Sequence, residues 1–308
     1  MVSIVMITYK HEKFIAQAIE GVLVQKTDFD FHLFIGDDAS PDNTSSIVED
    51  YKKRFPGKIS YIRHETNIGM HANFMGLYSL AKTKYIALCE GDDYWCDEYK
   101  LQKQVDFLER NSNYVLCFTR GLIFNTFSEQ KQVNLDLETG KDLTIGHFIK
   151  RNDQLTATVL IRNDANLKLP DFMIRSPFGD LLVYLWVMYN ASAKAFCLPD
   201  VTAVYRIHSG GVHGHHHQSK EKLIKAYKMH LVFYDLLKNH LFQNEYENEL
   251  NEATIKTVSI ITRLCRDERK FFKAIRLNVK YMFKGISFKL FASNTFKLQK
   301  QFIKSLIG

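Results

Sequence analysis

Over the first 110 positions, apolar residues recur in two alternating rhythms. Val2 to Thr8 is an apolar and β-branched run of the kind that forms a buried strand. His11 to Gln25 then places Phe14, Ile15, Ala18, Ile19 and Val22 at the spacing of one helix face. Phe31 to Gly36 repeats the strand pattern, a helix starts near Asn43 with Ile47, Val48 and Tyr51, and Ile59 to Ile62 is a third strand. Met75 to Ala81 reads as a helix, Tyr85 to Leu88 as a fourth strand, and Asp97 to Arg110 as an amphipathic helix. Strand and helix in alternation predict an α/β fold, a mostly parallel sheet with helices on both faces. Ligands of such sheets bind beyond the carboxyl ends of the strands. Thr8 and Tyr9, Asp37 and Asp38, and the turn Glu90-Gly91-Asp92-Asp93 therefore share one rim.

The rhythm loosens after Tyr114. Val115 to Asn125 and Thr156 to Ile161 read as strands, Leu181 to Tyr189 as a helix, and Lys194 to Leu198 and Val201 to Ile207 as two more strands. Gly210-Gly211 and the histidines from His213 to His217 mark a loop and a domain boundary. This divides the chain into a body of residues 1–212 and a helical C-terminal region of residues 213–308, free of proline from Ser219 onward. No internal repeat is present.

Composition narrows the class. With 308 residues, 46% apolar and 24% charged, the chain has the makeup of a globular protein with one large domain and an appendage. No apolar run reaches the ~18 residues of a membrane span. The start, Met1 to Thr8, has no basic segment or small-residue cleavage site, and the five cysteines are odd in number without CxxC spacing. The expectation is a cytoplasmic protein with reduced thiols. Charge is uneven: residues 269–308 hold ten of the 41 Lys/Arg and none of the 34 Asp/Glu, leaving the rest slightly acidic. A basic tail on an acidic body points to a docking surface.

The acidic turns carry the candidate chemistry. Asp92-Asp93 lie on a short turn just after a strand, and hard oxygen ligands there suit Mg2+ or Mn2+. Such a cation neutralises charge on a departing diphosphate. Helix capping accounts for Asp97 but not for three acids ahead of Tyr94-Trp95. For Asp38 two readings stand: a carboxylate that accepts from a uracil N–H or a ribose hydroxyl, or part of an Asx-turn with Asp42 and Asn43.

Four ordered motifs carry a resemblance: Val2 to Tyr9, Gly36-Asp37-Asp38-Ala39-Ser40, Asn67-Ile68-Gly69, and Glu90-Gly91-Asp92-Asp93-Tyr94-Trp95. Over roughly residues 2–210 the chain resembles the family 2 glycosyltransferases, inverting enzymes of the Rossmann-like GT-A fold. The resemblance implies Thr8 and Tyr9 at the nucleobase, Asp38 on uracil or ribose, Asp92 at the donor sugar or ribose, and Asp93 as principal metal ligand. It implies Asp180 as catalytic base, although Gly179 stands where relatives have a first acid, and an N-cap role for Asp180 remains the rival reading. His208, closing Tyr205-Arg206-Ile207-His208, becomes a second metal ligand or diphosphate contact. His71-Ala72-Asn73-Phe74 replaces an Ala-Arg-Asn motif of many relatives, so contacts to the donor there fall to His71, to Asn73, or to neither.

The resulting expectation is an inverting, metal-dependent hexosyl- or N-acetylhexosaminyltransferase using a nucleotide-sugar donor, UDP first, in polysaccharide or glycan assembly. A non-catalytic nucleotide-sugar-binding protein is the alternative that Gly179 keeps open. A sugar nucleotidyltransferase is disfavoured because no glycine-rich loop follows the first strand. The basic tail, with Phe271, Phe272, Tyr281 and other aromatics among its lysines, suggests peripheral contact with the inner membrane face and a glycan or lipid-linked acceptor. The alternative is a helical pair packed on protein. No nucleic-acid motif accompanies the charge. His213, His215, His216 and His217 lack matching ligands for zinc and read as a mobile lid loop. The sequence carries no signal of oligomeric state.

Overall fold

Strand β1 (Val2–Thr8) pairs in parallel with β2 (Phe31–Asp37) on one side and β4 (Tyr85–Leu88) on the other, and β2 pairs in parallel with β3 (Ile59–Arg63). Side chains on both faces of β1 are buried, which is why its run lacks polar alternation. Helices α1 (Ile15–Leu23), α2 (Thr44–Arg54) and α3 (Met70–Leu80) link these strands. Register aligns Thr8 with Asp37, so the first two rim turns leave the sheet side by side.

The computed structural model describes residues 1–134, 139–164, 167–211, 219–243, 245–268 and 270–283, with positions 292, 296, 299 and 300. The histidine run 213–217 and most of the tail 269–308 lie outside the described residues. Contacts divide the chain into two units, Met1–Arg175 with Gly179–Gly211, and Ser176–Phe178 with Val212–Gly308.

Beyond β4 the sheet becomes mixed. The remaining elements of this unit are β5 (Tyr94–Trp95), α4 (Lys100–Arg110), β6 (Tyr114–Asn125), β7 (Gln130–Val133), β8 (Asp142–Leu143), α5 (Ile145–Lys150), β9 (Leu160–Arg162), α6 (Gly179–Ala191) and β10 (Lys194–Ile207). The main path is β3-β2-β1-β4-β9-β6-β10-β5, with β9 antiparallel to both neighbours and β6 parallel to β10.

Several departures from the sequence pattern have local causes. The stretch from Thr156 begins as a 3-10 turn, Thr156–Thr158, before β9. Trp95 Nε1 donates to the Ala157 carbonyl at 2.8 Å and Gln104 Nε2 to that of Thr158 at 2.9 Å, occupying acceptors that a strand would pair. The two expected strands around Pro199 are one, β10, with register shifts between Leu198 and Ala203 where proline offers no N–H. Helix α1 starts at Ile15, after a turn closed by His11, and α3 starts at Met70, well before Met75. Strands β5, β7 and β8 and helix α5 are too short or too polar for periodicity to reveal.

Helix α4 sets an ionisable group inside the core. Lys100 and Gln104 are fully buried, with Lys100 Nζ 2.6 Å from Gln104 Oε1 and 4.3 Å from the centre of the Trp95 ring. Burial pushes the Lys100 ammonium down to about 7. Gln104 also donates to the Cys117 carbonyl at 2.7 Å, tying α4 to β6 directly behind the acidic turn.

The second unit is helical: α7 (Lys220–Leu236), continued by a π-helical turn Leu237–Leu241, then α8 (Glu247–Asp267) and α9 (Phe271–Phe283). Ser219 caps α7 by accepting from Lys222 N at 3.2 Å. Buried Phe233, Leu237, Phe242, Val258 and Ile261 form its interior, and Asn278 Nδ2 donates to Thr262 Oγ1 at 2.7 Å between α9 and α8. Among the described residues no helix is long and apolar enough to cross a membrane.

Candidate active site

Three turns at the carboxyl ends of β1, β2 and β4 form the rim. The first two are stitched together: Lys10 N donates to Ser40 Oγ, His11 N to Thr44 Oγ1 and Glu12 N to Asp42 Oδ2, at 3.0, 3.0 and 3.1 Å. Lys10 and Ala39 both hold left-handed backbone, φ 61° and 60°, a conformation costing about 1–2 kcal/mol for residues with a Cβ. Thr8 is buried, whereas Tyr9 is exposed at the edge.

The carboxylates after β2 face inward. Asp37 accepts from Ser40 N at 2.8 Å and from Tyr61 Oη at 2.7 Å. Asp38 accepts from Ile68 N at 2.7 Å and Gly69 N at 2.9 Å, which fixes the Asn67-Ile68-Gly69 turn and the start of α3. Asn73 donates to the Gly36 carbonyl at 2.8 Å, and its Oδ1 lies 3.2 Å from His64 Nε2. Asp38 and Asn73 thus hold the wall of the site together through their own side chains. The Asx-type turn belongs to Asp42, whose Oδ1 accepts from Thr44 N at 3.2 Å and Thr44 Oγ1 at 2.6 Å.

The turn after β4 is the densest part. Gly91 N donates to the Ile7 carbonyl at 2.9 Å, and a Cβ on Gly91 would meet Thr8 Oγ1 at 2.7 Å and His11 Nδ1 at 3.0 Å, so only glycine lets the turn lie this close to β1. Asp92 and Asp93 point to different partners. Asp93 is fully buried and accepts from Arg206 N at 2.9 Å. Asp92 Oδ2 lies 3.0 Å from His208 Nε2 and 3.6 Å from His11 Nε2. From the sequence, Asp93 is the expected principal metal ligand and His208 a second ligand or diphosphate contact; the structure sets the His208 imidazole against Asp92, the residue before Asp93. Arg206 binds the Asp92 carbonyl and Gln17 Oε1, and its guanidinium stacks 4.4 Å from the Tyr94 ring.

Burial and charge separate these acids. At Asp92 burial opposes ionisation, but the His208 hydrogen bond and the charges of His11 and His208 hold the carboxyl below its ordinary value. Burial, with Asp92 and Glu90 as like charges, drives Asp93 well above the carboxylate range. Burial, then the charges of Asp92 and Asp180, push Glu90 up to about 8. Burial also lowers His11 and raises Tyr205.

Asp180 lies in the first turn of α6, one residue past Gly179 at the helix start, so it is not the N-cap. Its Oδ2 accepts from Thr156 Oγ1 at 3.3 Å, and its charge is felt at Glu90, Tyr184 and Tyr205. The two sequence departures meet here: a Cβ on Gly179 would stand 3.1 Å from His71 Nε2.

The residues present suit a divalent cation with a diphosphate. Thr8 Oγ1, His11 Nδ1 and Asp93 Oδ2 are buried without a hydrogen-bond partner, beside the Asp92–His208 pair. Buried polar atoms left so are rare and mark places where a ligand completes the bonding. Among the described residues no three His, Cys, Asp or Glu side chains form a ready cage. A site of few protein ligands is the usual arrangement for a hard cation that shares its shell with phosphate oxygens. His11, Gln17 and Arg206 were not assigned roles in the sequence reading. The first two belong to a turn and a helix whose only legible signal was apolar spacing, and Arg206 sits on a strand with apolar neighbours.

The chain matches Glycosyl transferase family 2 over residues 3–167. It is 35% identical over 211 residues to the uncharacterised protein Rv1520 of Mycobacterium tuberculosis, covering 68% of this chain and 60% of that one. The chain thus spans less than two thirds of that relative's length. Among solved structures, S. aureus TarS 1-349 in complex with UDP-GlcNAc is 14% identical with a TM-score of 0.58, covering 97% of this chain and 92% of that chain. The mannosyltransferase PcManGT from Pyrobaculum calidifontis in complex with GDP-Man and Mn2+ is 11% identical with a TM-score of 0.50, covering 96% and 86%. These likenesses give the fold: GT-A, with a helical C-terminal region. Four ordered rim motifs within the matched span, on this sheet, make the chain a member of glycosyl transferase family 2.

Proposed function

We propose that this chain is an inverting glycosyltransferase, moving a sugar from a nucleotide-diphosphate donor to an acceptor hydroxyl in cell-surface polysaccharide or glycan assembly. The observation that carries the reading is the Asp92–His208 pair, 3.0 Å apart beside the unpartnered Asp93 Oδ2, at the carboxyl ends of the strands. TarS carries UDP-GlcNAc and PcManGT carries GDP-Man with Mn2+, so nucleotide sugars are the donor class to test, UDP first.

Thr8 and Tyr9 border the nucleobase, with the exposed Tyr9 ring available for stacking. Asp38 and Asn73 support donor binding by fixing the wall behind it, since their side chains already bond Ile68, Gly69 and Gly36. Asp92 and His208, with the unpartnered Oδ2 of Asp93, would hold Mn2+ or Mg2+, which would supply positive charge at the leaving diphosphate. Arg206 positions both aspartates from behind, through the Asp93 carboxylate and the Asp92 carbonyl.

Asp180 acts as the base. It takes the proton of the acceptor hydroxyl while that oxygen bonds to the anomeric carbon and the nucleotide diphosphate departs. Its place in the first turn of α6 favours the anion, as a base requires. Burial, then the charges of Asp92 and Asp180, raise Glu90, which disfavours a second negative charge beside the base.

A panel of nucleotide sugars, each with and without Mn2+, tests the reading by donor hydrolysis and thermal shift. Turnover of one donor, lost in Asp180→Asn, is the expected result. A protein that binds a donor but turns over none would instead be a binding protein of the same fold. Contact with a membrane surface and a lipid-linked acceptor belong to the same proposal, motivated by exposed Phe272 and exposed Arg276, one helical turn apart on α9.

A further inference from the structure

The helical unit contains a cleft of about 240 Å³ whose lining is dominated by one charge. Lys222, Lys225 and Lys228 reach it from α7, and Lys270 and Lys273 from the beginning of α9. Its floor is apolar, with Ile224 and Cys265 almost wholly buried, and among the described residues lining it Glu221 is the one acid. Glu221 and Glu268 lie 3.9 and 3.8 Å from Lys270. Among the described residues Lys225, Lys228 and Lys273 form no ion pair and stand exposed.

This arrangement opposes the ordinary logic of a solvated helix face. Lys222, Lys225 and Lys228 follow one another at three-residue spacing, which stacks like charges on one side of α7, where they repel. Lys270 and Lys273 bring two more charges from a different element to the same concavity. The charges of Lys228, Lys270 and Lys273 are felt at the floor: burial raises the Cys265 thiol, these three lysines pull against that rise, and Glu268 adds to it. A concave surface of one sign focuses its potential on a small counter-ion.

The chemistry that fits is a phosphate group. Ammonium groups bind phosphate oxygens as point charges through short, charge-assisted hydrogen bonds, and several can share one group. A cleft of about 240 Å³ has room for a phosphate or diphosphate. Among the described residues the lining holds no aromatic ring on which bases would stack, so the features present favour a phosphate group over stacked bases.

We infer that the lysine-lined cleft of the helical unit is a second anion site, built to bind the phosphate group of a phosphate-bearing ligand. It goes beyond the proposed transfer reaction and does not depend on it, since none of its residues belongs to the rim. The phosphate could come from an anionic lipid headgroup or from a soluble phosphorylated saccharide, and the test separates the two.

The full chain is titrated calorimetrically with inorganic pyrophosphate in EDTA and low salt, so that no divalent cation recruits the anion to the acidic rim. Lys225→Gln/Lys228→Gln/Lys273→Gln is compared with wild type and with Lys52→Gln/Lys53→Gln/Arg54→Gln on α2 as a charge-matched control. Weakening of pyrophosphate binding by tenfold or more in the cleft variant alone is the expected result. Absence of binding to wild type, or equal binding to all three proteins, overturns the site. Flotation with phosphatidylcholine vesicles, with and without phosphatidylglycerol, then assigns the source. Flotation that requires phosphatidylglycerol and is lost only in the cleft variant identifies a lipid headgroup. Unchanged or absent flotation alongside lost pyrophosphate binding identifies a soluble ligand. Circular dichroism melts of the variants verify folding, and donor turnover, expected unchanged, keeps failure of the cleft distinguishable from failure of the transferase reading.

Discussion

His208 Nε2 lies 3.0 Å from Asp92 Oδ2, joining the end of β10 to the turn after β4 across 116 residues of chain. The contact is largely withdrawn from water, and with His11 it keeps Asp92 ionised against the cost of burial. An ionised carboxylate and an imidazole at hydrogen-bond distance are also the two side chains that a divalent cation at the rim would take.

Replacing either member should therefore uncouple metal from donor. Asp92→Asn and His208→Ala are expected to lose the Mn2+-dependent part of the thermal shift seen with donor, with metal affinity weakened by at least about tenfold, the effect of losing even an outer-sphere contact. Asp93→Asn should in addition lower stability in the absence of metal, because Asp93 Oδ1 accepts from Arg206 N inside the core. Metal-dependent shifts equal to wild type in both Asp92→Asn and His208→Ala would remove the pair from the metal site.

Asp180→Asn keeps the shape of the side chain and removes its capacity to accept a proton. Turnover of donor to acceptor should fall by about 10²–10⁴-fold, with little change in KM for the donor. A fall confined to KM would mean that Asp180 binds substrate rather than serving as base.

Gly179 and His71 should be energetically coupled. Gly179→Ala places a Cβ 3.1 Å from His71 Nε2 and is expected to destabilise by about 1–3 kcal/mol, the range for an overfilled contact. In the His71→Ala background the same change should cost much less. Additive effects in denaturant melts of the two single variants and the double variant would show that the contact carries no strain.

The buried Lys100 provides a pH signature independent of the rim. Its folded value is about 7 against 10.5 for an exposed lysine, so between those values the unfolded chain binds a proton that the folded chain does not. Stability contributed through this group therefore rises as pH increases from about 7 toward 10.5 and is lost again as pH falls. Relative to Lys100→Met, wild type should gain more than about 1.4 kcal/mol over that window, the equivalent of one pKa unit. Parallel stability profiles for the two proteins would mean that Lys100 stays charged in the core.

Much of the parallel half of the sheet was legible in the chain. The apolar runs of β1 and β4 are buried on both faces and that of β2 is buried mainly on the face of Leu33 and Ile35, so each reads as a strand without knowledge of its neighbours, and the acids that follow them necessarily fall on one rim. The mixed half was less legible. Strand β9 is three residues long, and the preceding turn is held by Trp95 and Gln104, which are distant in sequence. Helix α3 was read too short because buried Asn73 and half-buried His71 interrupt the apolar spacing while facing partners that periodicity cannot supply.

The sequence by itself determined the α/β alternation, the order of the rim motifs and the concentration of positive charge toward the C-terminus, because each follows from local spacing and side-chain chemistry. Only the tertiary structure decided which aspartate of the adjacent pair meets His208, that Asp38 and Asn73 bond the protein's own backbone, that Gly179 accommodates His71, and that five lysines share one cleft. Adjacent residues on a tight turn point in different directions, and hydrogen-bond partners 30 to 116 positions away are selected by strand register and helix packing. That selection acts between elements, where spacing along the chain has no reach.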